Sequence, residues 1–126
     1  MKSIFIAEGN QSVERLFATV FARHNWVVTS TGDCNRAVEA LRGAEHYDVV
    51  LVSYEMQGMN GVELTKLVRA FAHRTHTPVV MVTGSGGIEV EALNAGVSEI
   101  LYKPIDIYSL IAAASKYIFE TGPQEE

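Results

Sequence analysis

Four polar residues with the potential for joint chemistry each follow a short apolar segment of the chain. They are Glu8 after SIFIA, Ser53 after DVVLV, Thr83 after PVVMV and Lys103 after EILY. The carboxyl ends of parallel strands face one crevice in open α/β proteins, so we expect these side chains to meet there. A carboxylate, two hydroxyls and an ammonium group belong to the chemistry of phosphoryl transfer, metal binding or serine nucleophiles.

The role of Ser53 decides which chemistry is available. A serine nucleophile needs a general base within hydrogen-bond reach, and the nearest candidates are Glu8 and Glu55. The histidines fall at or just beyond predicted helix ends away from the crevice, at His24, His46, His73 and His76. We therefore expect Ser53 to be a small polar residue that contacts Glu8 or Lys103. Modification of its hydroxyl by a kinase is the alternative.

Composition and charge indicate one globular domain in the cytoplasm. The 126 residues are 48% hydrophobic and 20% charged, enough for a single core and too few for two domains. We assign residues 1–120 to the domain and residues 121–126 to a flexible tail or the start of a linker. A lone cysteine, Cys34, excludes an internal disulfide, and no signal peptide or membrane-spanning segment is evident. A net charge of -5 with scattered basic residues argues against binding to nucleic acid.

Short apolar segments alternate with segments of helical periodicity along the whole chain. This alternation is typical of a parallel sheet built from βα units, with predicted strands at residues 3–7, 26–30, 48–52, 78–82 and 99–102. The central strands are apolar throughout, so helices must cover both faces of the sheet. Right-handed crossovers then favour an α/β flavodoxin-like fold, a single (βα)5 domain with the strand order 2-1-3-4-5.

The predicted helices carry apolar stripes that are expected to pack on the sheet. The stripes comprise Val13, Leu16, Phe17, Val20 and Phe21; Leu64, Leu67, Val68 and Phe71; and Ile107, Leu110, Ile111, Ala114 and Ile118. Asn60 and Glu63 have the spacing of a capping box. Asp33 and Asp106 are predicted N-caps.

This arrangement resembles the receiver domain of two-component response regulators over residues 1–119. The matching positions are Gly58, Met59 and Gly61 in the loop after strand three, Thr83 after strand four, and Lys103 with Pro104 after strand five. In that family two adjacent acids hold Mg²⁺, and an Asp at the end of strand three takes phosphate from a histidine kinase. A Thr or Ser senses the phosphate, and a Lys pairs with it.

The acidic positions depart from the family pattern. The acid pair falls on Glu8 and Gly9, and the position of the phosphoacceptor Asp falls on Ser53. The usual loop Pro is Gln57, and the aromatic switch position of strand five is Ile100. The chain therefore resembles an atypical receiver, a pseudo-receiver that lacks the phosphoacceptor.

These departures predict a crevice without catalytic residues or enzymatic activity. Each unit-charge contact at about 4 Å is worth about 4 kcal/mol at an effective dielectric near 20, so the lost carboxylates remove several kcal/mol of attraction for a cation. We expect no cofactor, with Mg²⁺ binding lost, or weak at Glu8 and Glu55. Lys103 is expected to pair permanently with Glu8 or Glu55.

The resemblance implies a role in two-component, or phosphorelay, signal transduction. We expect a phosphorylation-independent interaction module whose protein partners bind the face formed by helix 4, strand 5 and helix 5. Two alternatives stay open. One is a receiver that is phosphorylated on Ser53 or Glu55, and the other is a small-molecule sensor built on the same crevice.

Overall fold

A five-stranded parallel sheet lies at the centre of the molecule. The computed structural model describes residues 1–121, and its strands are β1 (Ser3–Ala7), β2 (Val27–Thr31), β3 (Val49–Ser53), β4 (Val79–Thr83) and β5 (Glu99–Tyr102). All neighbouring strands are parallel, in the order β2-β1-β3-β4-β5. The structure thus confirms the predicted fold class and strand order.

Five helices connect the strands and cover both faces of the sheet. They are α1 (Gln11–Arg23), α2 (Cys34–Arg42), α3 (Gly61–Ala70), α4 (Glu89–Ala95) and α5 (Ile107–Thr121), with a short 3-10 helix at Ala72–Arg74. The predicted tail at residues 121–126 lies outside the described residues except for Thr121. No helix within residues 1–121 is both long and apolar enough to cross a membrane.

Three of the strands begin and end one residue later than predicted. Trp26 packs its ring edge-on against Phe21 at 5.2 Å, but its backbone N–H bonds Phe21 O at the end of α1 instead of joining the sheet. Pro78 has no N–H to donate. In the structure Ser53 and Thr83 are the last residues of β3 and β4, and they pair with Val82 and Tyr102 of the neighbouring strands.

Side chains from the sheet form two hydrophobic cores, one on each face. One core joins Phe5, Val50, Val52 and Met81 to residues of α2, α3 and α4. The other joins Ile4, Ile6, Leu51 and Val82 to residues of α1 and α5. Strands β1, β3 and β4 are buried on both faces, which explains why their sequences are apolar without alternation.

Three residues of the predicted apolar stripes are exposed to solvent instead of buried against the sheet. Leu16, Leu67 and Ile107 are 50%, 41% and 39% exposed. Leu16 and Leu67 each directly precede a buried residue of the stripe, Phe17 and Val68, and neighbouring residues on a helix point about 100° apart. Ile107 is the first residue of α5. The predicted caps are correct, because Asn60 and Glu63 form a capping box and Asp33 caps α2.

A half-buried arginine connects α3 to the end of α4. Arg69 Nε and Nη2 donate to Gly96 O at 3.2 and 2.7 Å, and Nη1 donates to Arg74 O and Thr77 O at 2.7 and 2.6 Å. Gly96 has φ +108°, and a Cβ there would lie 2.7 Å from Arg69 Nε. Both the left-handed backbone and the close arginine therefore require glycine at this position.

Candidate functional site

The four polar residues at the strand ends meet at the carboxyl edge of the sheet. Lys103 extends from the end of β5 into the crevice, where its Nζ lies 3.4 Å from Glu8 Oε1 and 3.2 Å from Ser53 Oγ. Glu55, in the loop after β3, adds a second carboxylate, with Oε1 3.7 Å from the same Nζ. The ammonium group therefore lies among two carboxylates and a hydroxyl.

Glu8 and Ser53 are almost completely withdrawn from solvent. Each is 2% exposed. Glu8 uses both carboxylate oxygens, because Oε1 faces Lys103 and Oε2 accepts the backbone N–H of Asn10 at 3.0 Å. Ser53 Oγ accepts a hydrogen bond from Lys103, and within residues 1–121 it has no hydrogen bond to a carboxylate or imidazole. Among the described residues, no base is therefore hydrogen-bonded to this hydroxyl.

The Glu55 carboxylate is held by the segment that follows β4. Its Oε2 accepts hydrogen bonds from Thr83 Oγ1 at 3.0 Å, Gly84 N at 2.9 Å and Ser85 Oγ at 2.9 Å. Burial raises the pKa of Glu55, but the hydrogen bonds from Ser85, Thr83 and Gly84 outweigh it and bring the pKa below its ordinary value of 4.5. Glu55 is thus held as a carboxylate at neutral pH.

Of the remaining predicted site positions, Gly9 and Pro104 lie next to this polar centre and Ile100 does not. A Cβ on Gly9 would lie 3.2 Å from Glu55 O, so the loop after β1 packs tightly on the loop after β3. Pro104 follows Lys103 through a cis peptide bond. Ile100 pairs with Met81 in the sheet and packs, partly buried, on the core that contains Met81, away from the polar groups.

The histidines lie away from the crevice, as the sequence predicts. His24 Nδ1 contacts Val20 O at the end of α1, and His73 Nε2 contacts Gly43 O, both at 2.8 Å. His46 Nε2 lies 2.9 Å from Asp48 Oδ1. These imidazoles serve local structure beside helix ends and loops.

The crevice residues do not fit a Mg²⁺ ion of the kind held by family receivers. Gly9 supplies no side-chain ligand, both Glu8 oxygens are engaged, and the Lys103 ammonium lies where a cation would have to approach them. In the described part of the chain, no group of three or more His, Cys, Asp or Glu side chains is arranged to hold a metal ion. Hard cations prefer several oxygen ligands, which this arrangement does not offer.

Sequence reasoning identified every charged group of this site but did not predict that Gly84 and Ser85 contact Glu55. Both lie in the segment TGSGG, whose glycines leave many backbone conformations open. The hydroxyl spacing of Thr83 and Ser85 was the available signal. Their convergence on Glu55 depends on how two loops meet in space, which the sequence pattern does not encode.

Comparison with known proteins assigns the chain to a family. The family model for the response regulator receiver domain matches residues 4–115, and the chain belongs to this family. It is therefore a receiver domain of two-component signalling. The chain is 27% identical over 119 residues to the chemotaxis protein CheY of Pseudomonas aeruginosa, covering 93% of this chain and 95% of that protein.

Other relatives are much longer than this chain. It is 33% identical over 109 residues to the regulatory protein AtoC of Escherichia coli, covering 85% of this chain but 23% of that protein. It also matches the hybrid signal transduction histidine kinase M of Dictyostelium discoideum at 28% identity, over 92% of this chain and 5% of that protein. The shared part is the receiver domain.

Solved structures show the same fold at low sequence identity. A CheY-like receiver from Methanospirillum hungatei has a TM-score of 0.88 at 20% identity, covering 95% of each chain. The receiver domain of a sensor histidine kinase from Pseudomonas aeruginosa has a TM-score of 0.86 at 22% identity, covering 94% of this chain and 98% of that one. The latter was crystallised with a magnesium ion coordinated in its active-site cleft.

Proposed function

We propose that this receiver domain acts in two-component signalling as a protein interaction module without being phosphorylated in its crevice. The observation that carries the proposal is the position of Lys103, whose ammonium contacts Glu8 Oε1 at 3.4 Å and Ser53 Oγ at 3.2 Å. In receivers that the chain resembles, the corresponding lysine pairs with the phosphoryl group. Here that cation is already neutralised by carboxylates of the same chain.

Phosphoryl transfer to this crevice lacks both a carboxylate nucleophile at the end of β3 and a set of side-chain ligands for a divalent cation in the described residues. Ser53 replaces the carboxylate nucleophile, is 2% exposed and has no base on its hydroxyl. Glu55 is a carboxylate, but three hydrogen-bond donors surround its Oε2. We therefore expect neither catalytic activity nor a cofactor, and we disfavour phosphorylation on Ser53 or Glu55.

Incubation with Mg²⁺ and acetyl phosphate is expected to leave the intact mass of the protein unchanged. Beryllofluoride with Mg²⁺ is likewise expected to leave the melting temperature unchanged, because the ligands for both ions are missing. A receiver with the usual acid pair and Asp, treated in parallel, shows that the reagents are active. A mass gain of one phosphoryl group that maps to Ser53 or Glu55 would contradict the proposal.

The partner surface that we propose is the face of α4, β5 and α5. Apolar side chains are unusually exposed there, at Val90 (74%), Leu93 (56%), Tyr102 (46%) and Tyr108 (80%). Clustered exposed apolar groups mark interaction sites more often than isolated ones do. The hydroxyl of Tyr102 donates to the Glu89 carboxylate, which joins the start of α4 to β5 across this face. Large aromatic residues are frequent anchors in protein interfaces.

Replacing two of these side chains is expected to weaken partner binding without unfolding the domain. Val90→Asp combined with Tyr108→Ala should lower the affinity at least about ten-fold, since anchor residues contribute 2 kcal/mol or more, roughly, to an interface. The measurement is titration calorimetry with the partner protein. The matched control is Leu16→Asp on α1, at an apolar side chain that is 50% exposed but lies on another face. An equal loss of affinity in the double variant and in Leu16→Asp would show that the interface lies elsewhere.

A further inference from the structure

A second groove opens at the amino edge of the sheet, at the end opposite the crevice. Its walls are residues 46–48 before β3 and residues 72–78 before β4, and its volume is about 560 Å³. Ligand-binding clefts in proteins commonly have volumes of about 300 to 1,000 Å³. Three of the four histidines of the chain, His46, His73 and His76, lie along this groove. No crevice residue belongs to its walls, so the groove is a separate feature of the fold.

Three polar side chains of this groove have no partner within the chain. Tyr47 is 4% exposed and packs its ring edge-on against Phe5 at 5.3 Å, but within residues 1–121 its hydroxyl has no hydrogen bond. The side chains of His76 and Thr77 also lack a hydrogen-bond partner in the described part of the chain. A phenol, an imidazole and an aliphatic hydroxyl can each donate a hydrogen bond. Buried polar groups are normally paired, so the Tyr47 hydroxyl is available to an acceptor from outside the chain.

Two arginines beside the groove add positive charge that no carboxylate contacts directly. Arg74 is 2% exposed, and it donates to three backbone carbonyls at 2.9, 3.0 and 2.6 Å. Arg69 likewise donates to backbone carbonyls, as described above. The guanidinium carbon of Arg74 lies 5.1 Å from the centre of the Tyr47 ring. Burial lowers the pKa of Arg74, and Tyr47 and Glu45 offset this effect only in part. A negatively charged group near Tyr47 would therefore be stabilised.

The carboxylate on the groove wall does not compete for the free donors. Asp48 is the only acidic residue among the walls, all of which the structure describes. Its Oδ2 accepts the N–H of Ser3 at 2.8 Å, and its Oδ1 contacts His46 Nε2 at 2.9 Å. Burial raises the pKa of Asp48, but the hydrogen bonds with His46 and Ser3 outweigh it and bring the pKa below 3.8. The apolar part of the wall consists of Ala72 and Pro78. The groove thus offers donors together with an apolar surface.

We propose that this groove binds a small organic carboxylate, whose charged end accepts hydrogen bonds from Tyr47 and His76 and whose carbon skeleton lies on Pro78. The proposal goes beyond the proposed function, because the groove and the crevice lie at opposite edges of the sheet. A ligand in the groove would contact the segment before β3 and the segment before β4 together. Its binding should therefore stabilise the folded domain.

Titration with benzoate and with succinate, at neutral pH and constant ionic strength, tests the proposal. At least one of them is expected to shift the ring resonances of His46 and His76 saturably, while those of His24, which does not line the groove, stay unchanged. Tyr47→Phe keeps the ring and removes the hydroxyl, so the binding should weaken about ten-fold. The matched control is Tyr54→Phe, which removes a hydroxyl from a half-buried tyrosine directly after β3, at the other edge of the sheet.

Several outcomes of the titration would overturn the inference. One is the absence of a saturable shift with both carboxylates. Another is an equal response to neutral benzamide or to inorganic phosphate, because it would show that the groove does not select a carboxylate with a carbon skeleton. Unchanged affinity in folded Tyr47→Phe would also overturn it, since the buried hydroxyl is the donor on which the site depends. None of these outcomes bears on the acetyl phosphate experiment, which concerns the crevice.

Discussion

Lys103→Met is expected to lower the free energy of unfolding by about 1 to 3 kcal/mol, because it leaves a buried carboxylate without its cation. Glu8 is 2% exposed, and Lys103 Nζ at 3.4 Å is its cationic partner. The lysine side chain is 28% exposed, so solvent screens part of the interaction and the cost stays below that of a fully buried pair. Chemical denaturation of both proteins measures the difference.

Two further variants separate the effect of the Glu8–Lys103 charge pair from the effect of losing a lysine side chain. Lys66→Met removes an exposed lysine on α3 and should change the stability little. Glu8→Gln keeps an oxygen that can accept the Asn10 N–H but removes the charge, so the double variant with Lys103→Met should recover part of the loss. The double-mutant cycle should give a coupling energy of at least about 0.5 kcal/mol. A cycle with no coupling would show that the pair contributes nothing to stability.

Gly61→Ala is expected to destabilise the domain by about 2 to 3 kcal/mol through overpacking at the start of α3. A Cβ at this position would lie 2.6 Å from Ser53 O and 3.0 Å from Tyr54 Cα, and both are backbone atoms. The Gly61 N–H donates to Tyr54 O at 2.9 Å, so the helix cannot move away without breaking this bond. The better helix propensity of alanine, worth about 1 kcal/mol, offsets part of the cost.

Gly86→Ala is the matched control for this substitution. Nothing lies within 4 Å of the Cβ it would introduce, and the Gly86 backbone is not in the left-handed region. Its free energy of unfolding should stay within about 0.5 kcal/mol of the wild type. If Gly61→Ala were equally well tolerated, α3 would be free to shift relative to the end of β3, contrary to the packing described above.

The sequence predicted the fold well because the apolar strands and the helical periods point to the same architecture. It also predicted that Glu8, Ser53, Thr83 and Lys103 would meet, since parallel strands bring their carboxyl ends to one edge. Those residues are separated by up to 95 positions along the chain, yet topology alone brings them together.

Contacts that depend on loops or on side-chain direction were not predictable in the same way. The hydrogen bond of Ser85 to Glu55 requires two loops to adopt particular conformations, which local sequence does not specify. Arg69 has the sequence pattern of a solvent-exposed helix residue, but it turns inward to satisfy carbonyl groups. Leu16 appeared to belong to a buried stripe because a periodicity argument does not define how wide the contact with the sheet is.

A side-chain cap holds the carboxyl end of α4 but not its amino end. At its carboxyl end, two N–H groups of the charged Arg69 guanidinium bond Gly96 O, whereas Ile88 at its amino end provides no side-chain cap. A partner that docks at Val90 is therefore expected to displace the amino end of α4 more readily than its carboxyl end. That end continues directly into residues 83–87, which hold Glu55. We therefore expect protein docking on α4 to disturb the hydrogen bonds that hold Glu55 more than the contacts of Arg69 with Gly96 O.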